Sequence, residues 1–387
     1  MIYTEINLAQ ELLKHHSPTG QESAVAAYLV KVFQDLGFDE AYVDTCGNAV
    51  GIFRRGEGVK LMLNGHIDTV PLGNLGRWPY HPLEAHIADG RLWGRGASDM
   101  KAALASMALA AKDAVEAGFK GTLMVTGVVQ EEVGGLGAWY LSQQHEADVV
   151  IIGEPSELRL MLGHRGRIEI HVTSEGKIAH AAKSSLGKNA LYPLARFLVQ
   201  LEGLELPRGG VLGGSSLTPT FLESTPKSRN VVPGEAKLII DYRNIPGDDE
   251  AQVMARLKAL APDLHFEIPQ EHFISENAQV SLTAPKTRIA FLSPGEHKLA
   301  NLCRESLKHS LSHYQLSLAE GCWWFATDAP FLAQIPNGRG SKALVLGFGP
   351  GEQDLAHTTQ ESVRLEELSI ARSCYKDLAL AYSRAFA

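Results

Sequence analysis

Four strand-like apolar runs in this chain each end in residues able to ligate a metal or move a proton, and that repeated design restricts the fold more than any other feature. Leu61-Met-Leu-Asn-Gly runs into His66-Ile-Asp68, and Thr122 to Gln130 runs into Glu131-Glu132. Val149-Val-Ile-Ile152 runs into Gly153-Glu154-Pro155, and Ala343 to Phe348 runs into a glycine-rich loop that reaches His357. Open α/β sheets place their active sites beyond the C-terminal ends of their strands. The spacing therefore predicts a scaffold that gathers imidazoles and carboxylates at one rim.

A chain of 387 residues exceeds the size at which one core stops growing, so two domains are expected. No apolar run approaches the length of a membrane span, and Met1-Ile-Tyr-Thr-Glu-Ile-Asn7 lacks the basic and apolar regions of a signal peptide. A soluble cytoplasmic protein is the expectation. The net charge of −8 argues against nucleic acid or an anionic membrane as partner. Cys46, Cys303, Cys322 and Cys374 form no Cys-x-x-Cys pair and read as free thiols in a reducing compartment. Any metal would be held by nitrogen and oxygen.

In chain order, Glu22 to Leu36 has helical spacing, and Tyr42-Val-Asp with Asn48 to Phe53 reads as a hairpin. The stretch after Asp68, with Pro71, Gly73, Gly76, Pro79 and Pro82, reads as a surface loop. Asp99 opens a helix over Met100 to Ala117. From Arg165 the texture changes: Arg167 to Thr173 and Ala236 to Arg243 alternate polar and apolar residues, as half-buried antiparallel strands do. Helical patterns at Ala190 to Leu201 and Glu250 to Leu260 accompany them, with another alternating run at Leu264 to Ile268. This predicts an inserted α+β unit over 165–285, between catalytic parts 1–164 and 286–387. The main sheet resumes near residue 290, followed by helices at Leu299 to Leu311 and Leu365 to Ala385.

His66, Asp99, Glu132, Glu154 and His357 form a nitrogen and oxygen donor set suited to two divalent ions, with zinc favoured and cobalt or manganese as alternatives. One carboxylate has to bridge, and Asp99 is the choice; paired cations also offset the repulsion of clustered anions. Asp68, two residues from His66, is placed to accept the imidazole's second N–H. Glu131, beside a ligand, can face a metal-activated water as general base. Each residue has a plainer reading alone, Asp99 as a helix N-cap and His357 as a loop histidine. Their joint position after strand runs favours the metal site.

These blocks, Gly65-His-Ile-Asp-Thr-Val-Pro71, Gly94-Arg-Gly-Ala-Ser-Asp-Met-Lys101, Glu131-Glu132, Gly153-Glu-Pro-Ser156 and Ala356-His357, resemble the M20 family of dinuclear zinc peptidases and amidohydrolases. The likeness is to its acetylornithine deacetylase and succinyl-diaminopimelate desuccinylase branch, and it spans nearly the whole chain. It implies an α/β catalytic domain with a mostly parallel sheet flanked by helices, and an inserted α+β lid that also forms a homodimer. It further implies His66, Asp99 and Glu154 on one metal, and Asp99, Glu132 and His357 on the other. A strained, cis peptide after Asp99 belongs to the same analogy.

By the same resemblance His180, in Gly176-Lys-Ile-Ala-His180, holds the scissile carbonyl's oxyanion across the dimer. Asn230 and Arg243 bind substrate amide or carboxylate groups, and Gly349, in Gly347-Phe-Gly-Pro-Gly351, lies in a backbone loop under the substrate. Gln130 and Ala102 depart from the family pattern without touching the ligands. The expected function is hydrolysis of an N-acyl amino acid's amide bond. A dipeptidase or carboxypeptidase of the same family is the alternative, and a catalytically silent metal-dependent binding protein is the rival of another class. A Rossmann nucleotide binder ranks low, because no Gly-x-Gly-x-x-Gly follows a strand and opens a helix.

Overall fold

The computed structural model describes residues 3–386; Met1, Ile2 and Ala387, which the predicted outer boundaries and the leader expectation include, lie outside the described residues. The central sheet has four parallel strands side by side, in the order Gly121–Val128, Val59–His66, Val149–Ile152 and Leu344–Gly347. Antiparallel strands flank them, Ala49–Arg55 and Glu40–Val43 on one side and Leu160–His164 on the other. Because the four run the same way, His66, Val128, Ile152 and Gly347 all finish at one edge. That shared edge is what the repeated apolar runs predict.

These strands are apolar on both faces because both are covered. Leu61, Leu63, Leu123, Val125, Val149 and Ile151 enter one buried cluster, while Met62, Met124, Val150 and Ile152 enter another on the opposite side. Helices Glu5–Lys14, Lys101–Glu116 and Leu365–Ala385 pack together over the first face. The Ala-rich composition of Lys101–Glu116 suits its position, since its side chains are almost all buried and small residues allow close approach. No helix of the described residues is long and apolar enough to cross a membrane.

A second sheet runs Ser216–Thr225, Glu235–Arg243, Arg167–Glu175 and His265–Glu267, with Thr287–Arg288 also pairing on Arg167–Glu175. Burial alternates along Arg167–Glu175 as the sequence pattern requires. Helices Leu191–Glu202 and Glu250–Leu260 cover its apolar face, with Phe197, Ile170 and Leu238 in the core.

Helix Glu5–Lys14 was not predicted, although Thr4 and Asn7 close a reciprocal capping box at its start. The edge strand Ser216–Thr225 was also missed. It is largely exposed, so it lacks clean alternation, and its register shifts between Pro219 and Phe221, where proline cannot support a regular ladder. A hairpin of Gln270–Ile274 with Ser281–Pro285 reaches back to the central sheet: Phe273 packs at Gly134, and the Gln130 amide donates to Ile274 O at 2.7 Å. Gln130 thus anchors this hairpin beside the Glu pair.

Candidate metal centre

His66 is the last residue of its strand and is buried. Its Nε2 lies 2.8 Å from Asp99 Oδ1 and 3.8 Å from Glu154 Oε1. On the other side of Asp99, His357 Nε2 is 3.2 Å from Asp99 Oδ2 and 2.9 Å from Glu132 Oε2. The donors form two overlapping groups, His66–Asp99–Glu154 and Asp99–Glu132–His357, each with ligand atoms within 4.8 Å of one another. Such a set fits two small divalent ions, because Asp99 alone has an oxygen in each group. The peptide between Asp99 and Met100 is cis, and the following helix begins without a side-chain cap, so Asp99 is not a capping residue.

Without cations the cluster holds protons. Hydrogen bonds to Asp99 and Glu132 push His357 up to about 10. Burial works against protonation of His66, yet the Glu154, Asp68 and Asp99 carboxylates outweigh it and raise this imidazole well above its usual value. Burial and the charge of Asp99 raise both Glu132 and Glu154. Burial opposes ionisation of Asp99 too, but hydrogen bonds from His357 and His66 hold it below the usual carboxylate range. Imidazoles must be neutral to ligate, so loading the site has to release protons. Calorimetric titration with zinc at pH 7 in buffers of different ionisation heat is expected to show net proton release and an affinity that rises with pH. No buffer dependence would contradict the shared-proton description. In the metal-free protein, the stabilisation from His357 is present below its unfolded value near 6.5 and disappears as pH rises through about 10.

Asp68 does not hold His66 in the expected way. His66 Nδ1 lies 2.9 Å from the backbone oxygen of Asp68 and 3.5 Å from its carboxylate. The carboxylate instead accepts the backbone N–H groups of Glu131 and Glu132, at 3.0 and 3.2 Å, and the Thr19 hydroxyl at 2.8 Å. Asp68 therefore fixes the turn that presents the Glu pair, while its main chain fixes the imidazole. Glu131 lines the cleft, and burial, then the nearby Asp328, raises its carboxyl well above the normal range.

Gly349 also departs from its expected part. Its N–H donates to Ser156 Oγ at 2.8 Å, so it is not turned toward a substrate anion. A Cβ at this position would stand 2.4 Å from the carbonyl oxygens of both Gly153 and Glu154. Glycine is needed there for close backbone approach beneath Glu154.

Arg243 lines the cleft and donates to Asp241 at 2.7 Å. His180 and Asn230 are exposed and neighbour each other, through the bridge of His180 with Val231 and the N–H of Ala181 donating to Asn230 O. Neither lines the cleft of its own chain. The cleft holds about 480 Å³ and has an aromatic side formed by Phe273, Trp324, Phe325 and Phe331.

Sequence reasoning missed Glu361. Its carboxylate is buried, accepts the N–H groups of Gly96, Ser98 and Asp99 at 2.9, 3.2 and 3.2 Å, and is paired with Arg95. The Arg95 guanidinium also stacks 5.0 Å from the Trp78 ring. The short segment 357–361 thus supplies His357 at one end and grips the Asp99 loop at the other. The signal was its position four residues after His357.

The sequence profile of peptidase family M20/M25/M40 matches residues 62–381. The chain belongs to this family. Among relatives, it is 32% identical over 252 residues to the uncharacterized protein YgeY of Escherichia coli, a match covering 63% of this chain and 62% of YgeY. It is 29% identical over 307 residues to a succinyl-diaminopimelate desuccinylase of Cereibacter sphaeroides, covering 75% of this chain and 78% of the relative. Among solved structures, the M20 metallo-carboxypeptidase Sso-CP2 of Sulfolobus solfataricus superposes with a TM-score of 0.76 at 17% identity, covering 99% of this chain and 100% of that one. This likeness extends the M20 fold to both sheets.

Proposed function

We propose that the protein is a metal-dependent amidohydrolase that cleaves the amide bond of an N-acyl amino acid. The observation that carries this reading is the sharing of Asp99 between two donor groups, with Glu131 beside them in the same cleft. The donor set fits zinc, cobalt or manganese. When bound, such a pair would supply Lewis acidity and lower the pKa of an attacking water.

The chain's own residues do the rest. Glu131 takes the water's proton on its carboxylate and delivers it to the leaving nitrogen. Arg243, on the cleft wall, orients a substrate carboxylate by charge-assisted hydrogen bonds. Asn230 and His180 belong to the inserted lid over 165–285, and their exposed pairing away from the cleft supports a homodimer in which His180 of the partner subunit reaches the scissile carbonyl. The desuccinylase relative supports an acyl amino acid, and the carboxypeptidase neighbour supports the second reading, a small peptide. A cytoplasmic location remains part of the proposal.

Turnover of the zinc-loaded protein against N-acetyl and N-succinyl amino acids and dipeptides tests the reading. Hydrolysis of the N-acyl compounds is expected; hydrolysis of dipeptides alone would shift the proposal to a dipeptidase. For the dimer, mixing His180→Ala with Glu131→Ala chains is expected to restore about a quarter of all sites, because half the random dimers are mixed and each has one intact site. No recovery would remove the shared site.

A further inference from the structure

The cleft wall built by the inserted sheet carries an arrangement of which the mechanism above uses only Arg243. Strands Glu235–Arg243, Arg167–Glu175 and Thr287–Arg288 lie side by side, with Asp241 opposite Glu169, Tyr242 opposite Ile168, and Arg288 opposite Arg167. Continuing the register by one step sets Arg243 against Arg167. Arg243, Arg167 and Arg288 therefore form a row across neighbouring strands, and all three line the cleft. Like charges directly opposite one another destabilise a sheet. A local conflict of that kind is expected where function requires it.

Two register steps away, on the same face of the sheet, carboxylates hold the row in place. Asp241 accepts from Arg167 Nε and from Arg243 Nε, each at 2.7 Å, and Glu169 lies 3.4 Å from Arg167 Nη2 and 3.3 Å from Lys286 Nζ. Arg288 turns toward the metal side and donates to the backbone oxygen of Glu131 at 3.0 Å. The row thus starts at the segment bearing the general base and runs outward along the wall. Arg243 meets Asp241 through Nε and Nη2, Arg167 meets Asp241 through Nε and Glu169 through Nη2, and among the described residues neither directs Nη1 to a protein acceptor.

We propose that this row selects substrates whose leaving amino acid carries a second carboxylate, so that neighbouring guanidinium groups take the α-carboxylate and an acidic side chain. The inference rests on the amide-hydrolase reading and adds a substrate class to it. Neighbouring strands are roughly 4.8 Å apart, comparable with the separation of the two carboxyl groups of aspartate or glutamate. A monoacid would engage only one of the neighbouring guanidinium groups, which stay partly exposed at 43% for Arg167 and 32% for Arg243 and share Asp241, whereas a diacid would engage two of them. Planar forks also match carboxylates better than ammonium groups do.

The test compares N-acetyl-L-glutamate and N-acetyl-L-aspartate with N-acetyl-L-glutamine and N-acetyl-L-methionine. It uses zinc-loaded wild type, Arg167→Gln and Arg167→Lys, with calorimetric binding of L-glutamate and L-glutamine alongside. The wild type is expected to favour the acidic compounds by about ten- to hundredfold in kcat/KM, the range for hydrogen bonds to charged groups. Arg167→Gln should collapse that preference mainly through KM, and Arg167→Lys should keep part of it. Arg167-dependent binding of L-glutamate without turnover of any N-acyl compound would uphold the row and remove the N-acyl hydrolase reading. Turnover with no acidic preference in wild type, or an equal loss on acidic and neutral substrates in Arg167→Gln, would overturn the row. So would the absence of both turnover and glutamate binding. Should Arg167→Gln not fold, the wild-type preference and Arg167→Lys decide alone.

Discussion

Glu131→Ala is expected to lower kcat by about 10²–10⁴-fold, the usual contribution of a positioned general base, while bound metal per chain stays at the wild-type level. The reason is geometric. Glu131 belongs to neither donor group, yet it lies in the same cleft, and its place is fixed by its backbone N–H on Asp68 rather than by its side chain. Removing the carboxylate therefore deletes the proton acceptor and leaves the turn that presents Glu132. Burial and Asp328 raise the Glu131 carboxyl in the metal-free protein, the direction that favours proton uptake. Kinetics with metal analysis on the same preparation checks this. Wild-type turnover in the variant would take Glu131 out of the mechanism, and loss of metal would make it a ligand.

The second large effect is expected at Glu361, which touches neither donor group in the way a ligand does. Glu361→Ala leaves the buried Arg95 without its ion partner and three backbone N–H groups of the Asp99 loop without an acceptor. Removing one partner of a buried pair typically costs about 3–5 kcal/mol. Denaturant unfolding should show a loss of that order, together with weaker zinc binding, because the released loop carries the shared Asp99. Glu361→Gln keeps an acceptor for the N–H groups but presents an amide donor to Arg95, so an intermediate loss is expected. A change below about 0.5 kcal/mol in Glu361→Ala, the range of ordinary surface substitutions, would mean that Arg95 and the loop are held by other contacts.

The chain shows how far local pattern reaches. The four rim strands were legible because apolar runs covered on both faces are conspicuous, and each is followed by a residue type that such a rim can use. His66, Asp99, Glu132, Glu154 and His357 could be read together for that reason, and the structure brings their donor atoms into two overlapping groups. Helices Glu250–Leu260 and Leu365–Ala385 have the bounds their periodicity predicts. The edge strand Ser216–Thr225 escaped notice because exposure on both faces removes the alternation that marks a half-buried strand.

By itself, the sequence determined the chemistry available to this protein: which donors it has, and that strands of one kind lead into them. Those properties are local, set by residue type and by periods of two or 3.6 along the chain. Only the tertiary structure decided which atom of each residue is used. Asp68 meets His66 through its main chain and the Glu pair through its side chain, Gly349 turns its N–H inward to Ser156, and Arg243, Arg167 and Arg288 meet across three strands. Such partnerships depend on register and close packing between segments far apart in the chain, and no single window of sequence contains both partners.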